Sequence, residues 1–123
     1  MLTASAYGLA IVLNLLFVLI GARFLLVPRA SAAGYGVPAK PDGDAAYLTI
    51  KGLRDGGYGL LGLALLAFAG PGAAGWFMLV TALLPLGDTL IVLRNGGPKA
   101  TAFGVHFATA VVMLVNAALL FAL

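Results

Sequence analysis

The chain has 123 residues, 63% of them hydrophobic and 9% charged, with a mean hydropathy of +1.11. A soluble domain this small keeps too large a fraction of its residues at the surface to hide that much apolar material, so composition points to a membrane protein. The net charge of +3 shows no basic patch interleaved with exposed aromatics, which argues against nucleic acid as a partner. The absence of cysteine excludes disulfides and thiolate metal sites.

Tyr7 to Val27 is the first apolar stretch, long enough to cross a hydrocarbon core of about 30 Å. It carries Asn14 near its middle and Arg23 near its end. A cleaved signal peptide is the rival reading, because Ala30-Ser31-Ala32 resembles a cleavage site. Its positive charge would then have to precede the apolar region, and here the first charge follows it. Pro28 is expected to end the helix. The connection from about Pro28 to Ala46 holds five Gly and Pro residues after Pro28 and reads as a long loop, a candidate lid at the membrane surface. Asp42 and Asp44 stand where a cap for the next helix would be.

The second helix is expected over about 45–69. It opens with Lys51-Gly52-Leu53-Arg54-Asp55-Gly56-Gly57, three ionisable side chains at the start of an apolar span. Charges in such a place are costly and suggest a functional site. Lys51 and Asp55 share a face at i, i+4, and Gly52, Gly56 and Gly59 make a strip that lets another helix approach. Gly70-Pro71-Gly72 reads as a tight turn before a third helix over about 74–93, with Trp76 at its start as an interface anchor. Pro85 is expected to kink that helix, three residues before Asp88. After Asn95-Gly96-Gly97-Pro98, a fourth helix is expected over about 101–123, with a polar stripe of His106, Thr109 and Asn116.

The expected architecture is therefore all-α, a single domain over 1–123 forming a four-helix transmembrane bundle. Arg23, Arg29, Lys40, Lys51, Arg54, Arg94 and Lys99 all fall on one side of it. This places the first and third loops in the cytoplasm and both termini on the non-cytoplasmic side of the cell membrane. At about 1.5 Å per residue, Arg23, Lys51, Arg54, Asp55, Asp88 and His106 occupy one layer, roughly 6–14 Å below the cytoplasmic surface. These groups should face the bundle interior, since lipid offers them no partner. Asp88 has no opposite charge within a turn of its own helix, so Arg54 or Arg23 is its expected partner. The stretch Gly21–Val27 also echoes Gly87–Leu93, each followed by an Arg within two residues, a weak sign of parallel repeats.

Phe24-Leu25-Leu26-Val27-Pro28, Gly34-Tyr35-Gly36-Val37-Pro38, Lys51-Gly52-Leu53-Arg54-Asp55 and Gly87-Asp88, in this order, resemble a family of small four-helix membrane proteins of unknown function. That family is found in bacteria and fungi and is distantly similar to the DoxX-like membrane proteins. The resemblance implies fold and membrane location and brings no catalytic residue with it.

Three functions fit these residues. The first is an acid–base enzyme, such as an isomerase, a cyclase or an epoxide-opening enzyme, acting on a lipophilic small molecule. In it Asp55, Asp88, Arg54 and His106 form the catalytic set. Arg23, Lys51, Asn14, Asn116, Phe24 and Phe103 bind substrate, and Phe17 and Phe77 add apolar wall. The second is a structural or accessory protein that binds lipid. The third is a small proton-coupled transporter working as a homodimer, with Asp88 as its titrating acid. None of the three calls for a cofactor or a metal.

Overall fold

The computed structural model describes all residues from Met1 to Leu123 and is entirely helical between its connections. Helix α1 spans Leu2–Leu26, the short α2 Pro28–Tyr35 and α3 Ala45–Phe68. Two nearly continuous segments, α4 (Gly70–Thr81) and α5 (Leu83–Arg94), form the next column. The last begins with a single turn, α6 (Lys99–Thr101). It passes through a π-helical segment, Ala102–Phe107, and ends in α7 (Ala108–Phe121).

Three columns, Leu2–Leu26, Gly70–Arg94 and Lys99–Phe121, are long and apolar enough to cross a membrane. Helix α3 has comparable length at 24 residues but carries Lys51, Arg54 and Asp55 in its first half. Only 29 of 123 residues are buried, and the exposed ones include Leu19, Leu53, Phe68, Leu83 and Val115. An exterior this apolar is what a lipid-facing surface needs, and a water-facing one avoids it.

Two packing features position everything else. Along the seam between α1 and α3, glycines let the backbones touch. A Cβ on Gly21 would collide with the backbone of Gly52 and Gly56. One on Gly52 would lie 2.8 Å from the Gly21 carbonyl oxygen, and one on Gly59 2.5 Å from that of Asn14. The expected glycine strip on α3 is thus the bed on which α1 lies. The second feature is a core at the end of the molecule that holds the N-terminus and the α3–α4 turn. It consists of Ala6, Ala10, Leu13, Leu66, Ala74, Met78, Ala82, Met113, Ala117 and Leu120.

Several local expectations are corrected. Pro28 ends α1 but also begins α2 at its first turn, where proline's missing N–H costs nothing, so the first half of the supposed loop is helical. Gly36, at φ +99°, closes α2 in the left-handed conformation and packs against Val92. Gly70-Pro71-Gly72 is the first turn of α4 rather than a loop, the reversal being made at Gly70 with φ +88°. Asp44 sits just before α3 but does not cap it; its carboxylate accepts the Lys40 N–H at 2.9 Å instead. The column expected to be disturbed by Pro85 is interrupted at Ala82, within the turn whose hydrogen bond Pro85 cannot complete.

Candidate functional site

The half of the molecule opposite the core contains a cavity of about 290 Å³. Helix α1 contributes Leu16, Phe17, Ile20, Arg23 and Phe24 to its wall, and α3 contributes Asp55. Helix α5 adds Leu84, Pro85 and Asp88, and the last column Val105, His106 and Thr109. The remaining wall is α2, through Ser31, Gly34 and Tyr35. A second cavity of about 260 Å³ adjoins it, lined by Lys51, Val37, Leu48 and Ile91 among others. Phe24, Tyr35 and Asp88 border both cavities and so form the partition between them.

Tyr35 is the centre of the polar arrangement. Its phenol donates a short hydrogen bond to Oδ2 of Asp88. Burial, reinforced by the neighbouring carboxylate, pushes the phenol pKa above its ordinary range, so the hydroxyl keeps its proton and acts as donor. His106 Nε2–H donates to the Tyr35 carbonyl oxygen at 2.8 Å, and the two rings stack obliquely with centroids 4.1 Å apart. A carbonyl can only accept, so the imidazole carries its proton on Nε2. Phe24 meets the Tyr35 ring edge-on at 5.5 Å. Tyr35 is therefore held by α1, α5 and the π-helical segment at once. Single π-helical turns of this kind are frequent at functional sites.

Lys51 and Asp55 form the one ion pair of the molecule, Nζ to Oδ2 at 2.6 Å, as their i, i+4 spacing allows. The same ammonium lies over the rings of Tyr35 (4.3 Å) and Phe24 (4.7 Å). Cation–π contacts of this kind hold a charge in place where water is scarce.

Of the residues singled out in the sequence, Asp55, Asp88, His106, Arg23, Phe24 and Phe17 share the larger cavity, and Lys51 borders the smaller one. The others lie elsewhere. Arg54 is exposed and pairs with no carboxylate, because its position on α3 turns it away from the Asp55 face. The expected partner of Asp88, Arg54 or Arg23, is replaced by the phenol of Tyr35. Phe103 is half exposed and packs edge-on against Phe107, and Phe77 belongs to the opposite half. Asn14 and Asn116 are buried away from the cavity. Asn116 Nδ2 joins α7 to α1 by donating to the Ala6 carbonyl oxygen at 2.9 Å, whereas Asn14 Nδ2 donates to Ala10 within its own helix.

The sequence reading missed Tyr35 and Ser31. A search for charges overlooks a neutral phenol, but Tyr35 carried one signal: a lone aromatic between Gly34 and Gly36 in an unusually long connection. In the sequence Ser31 stands out only within the cleavage-site-like Ala30-Ser31-Ala32. It lines the cavity, is 7% exposed, and its hydroxyl has no hydrogen-bond partner.

An all-helical chain with an apolar exterior, three columns able to span a bilayer and a cavity bordered by a few charged groups is, as a class, a membrane-protein architecture. Residues 14–120 match the sequence model of a family described as a domain of unknown function (DUF4267), and the chain belongs to that family. Searches of curated proteins and of solved structures returned no match.

Proposed function

We propose that this protein is a multi-pass protein of the cell membrane whose cavity binds a lipophilic small molecule and acts on it by acid–base chemistry. One observation carries the reading. Asp55, Asp88, Tyr35 and His106 come from four different segments and converge on a single cavity whose remaining wall is largely apolar. Structural charges do not need such a space, whereas a substrate with a hydrocarbon body and a reactive polar end does.

In this reading Asp55 and Asp88 are the acid–base pair. Oδ2 of Asp88 is occupied by the Tyr35 phenol, so its other oxygen exchanges the proton. Isomerisation, cyclisation and epoxide opening share one requirement: one group gives the substrate a proton while another takes one. The enzyme then needs no external oxidant or reductant. His106 positions Tyr35 through the carbonyl contact, a role other than the substrate contact expected from sequence.

Helix α3 serves as a fourth span in this proposal. All seven Lys and Arg gather at the end bearing α2, which is then cytoplasmic, with both termini outside. Labelling of Lys40→Cys from outside intact cells would overturn that topology.

The functional test places the purified protein in bilayer discs with a lipophilic extract of its producing cells. Compounds that change retention at constant mass, or with one water added, are followed by mass spectrometry. Asp55→Asn and Asp88→Asn should each lower turnover by about 10²-fold or more while ligand binding persists. Full turnover by both variants would refute the assignment. Loss of thermal stability with no conversion by the wild type would favour a structural protein. Proton-coupled uptake without conversion would favour a transporter.

A further inference from the structure

We infer that the ligand of the larger cavity is a single-chain lipophile ending in a carboxylate, and that Arg23 with Ser31 is the site that receives this group. The inference rests on the cleft reading above and names the chemical class it accommodates.

Most of the donor groups around the cavity already have an acceptor. Asp55 is matched by Lys51, Asp88 accepts from Tyr35, His106 Nε2–H is committed to the Tyr35 carbonyl, and the Thr109 hydroxyl donates to the Val105 carbonyl at 2.7 Å. What remains is the guanidinium of Arg23, an exposed residue that borders the cavity and forms no ion pair, and the Ser31 hydroxyl, which is buried with no partner at all. Buried polar groups in folded proteins are almost always hydrogen-bonded, so the orphaned Ser31 hydroxyl beside the cavity points to something that enters it, and Arg23 is the free charge at hand. The guanidinium can only donate and the hydroxyl can donate beside it, so a single acceptor group would satisfy both.

A guanidinium offers a planar fork of N–H groups that fits a carboxylate with two parallel hydrogen bonds. Arg23 and Ser31 also flank the break at Val27, so one comes from the last turn of α1 and the other from the first turn of α2. Two elements thus present donors to the same space. The apolar remainder, Leu16, Phe17, Ile20, Leu84 and Val105, would take the chain. The cavity, at about 290 Å³, lies at the small end of ligand sites, which run from roughly 300 Å³ upward, a size that suits one chain.

The test compares decanoate, decanol and decylammonium binding to the protein in discs of zwitterionic lipid, by calorimetry. Decanoate should bind at least about tenfold more tightly than decanol, the worth of one charged hydrogen-bonded contact. Arg23→Gln should erase that preference, Arg23→Lys should retain part of it, and Ser31→Ala should reduce it. Arg94→Gln, which removes an exposed charge at the same end of the bundle but outside the cavity, should leave it intact. Equal binding of all three probes, with Arg23→Gln silent, would overturn the inference and leave the cleft reading standing. An equal loss in Arg94→Gln would reduce the effect to surface attraction and overturn it too. If no probe binds, the cleft reading itself fails.

Discussion

The two ends of this helical assembly solve different problems with the same columns. At the end with the N-terminus, Ala6, Ala10, Met78, Ala82, Met113, Ala117 and Leu120 fill the interior so completely that each is at most 2% exposed. At the end with α2, the interior is a cavity of about 290 Å³ bordered by Arg23, Asp55, Asp88 and His106. Small residues and methionines let the helices close at the first end. At the second, a short crossing helix is wedged beside the columns and holds them apart around Tyr35. The close-packed end can therefore supply the stability that allows the other to keep open space and polar groups in a lipid setting. This division suggests how each end should respond to mutation.

The largest effect is expected along the α1–α3 seam. Gly59→Ala would put a Cβ 2.5 Å from the backbone oxygen of Asn14, where no rotamer change can relieve it. A loss of about 2–3 kcal/mol should follow, seen as a lower melting temperature in detergent. An unchanged melting temperature would mean that the two helices are not in backbone contact.

A smaller effect is expected at the open end. Tyr35→Phe preserves the ring contacts with Phe24 and His106 but leaves Asp88 without its donor. Water admitted by the cavity should limit the cost to about 1–2 kcal/mol. Turnover or ligand affinity should suffer more than melting temperature. The reverse pattern would make Tyr35 a structural plug.

The smallest effect is expected at Arg54. Its sequence position suggested a buried partner for Asp88, whose removal would cost several kcal/mol. Its exposure and lack of an ion pair predict that Arg54→Gln changes stability by no more than about 0.5 kcal/mol. A large loss would mean that the side chain meets a partner protein or a second copy.

These contrasts also show what could be read from sequence. The apolar runs predicted the long helices, with the first beginning about five residues earlier than expected, because their composition has no alternative in water. The glycine strip and the Lys51–Asp55 pair were legible because helical spacing fixes both. Shared depth brought Asp55, Asp88, His106 and Arg23 to one layer, and the cavity does contain all four. Depth, however, says nothing of rotation about a helix axis, which is why Arg54 and Phe103 were misplaced. Helix α2 escaped because Pro28 was weighed only as a terminator, and with it the placement of Tyr35 and Ser31. The π-helical turn at His106 has no local sequence signature, since it is a compromise among neighbours rather than a preference of Ala102–Phe107.

The glycine seam also bears on traffic. Two rods in backbone contact cannot part without losing that contact along its length, so α1 and α3 form an immovable jamb. Any door into the larger cavity must open on the other side. There the α4–α5 column carries its one irregular turn, at Ala82, where Pro85 lacks a backbone donor, so this column is the place for such an opening. A guest arriving from within the bilayer would be admitted sideways past Leu84. Its occupancy would then follow its mole fraction in the lipid rather than its concentration in water.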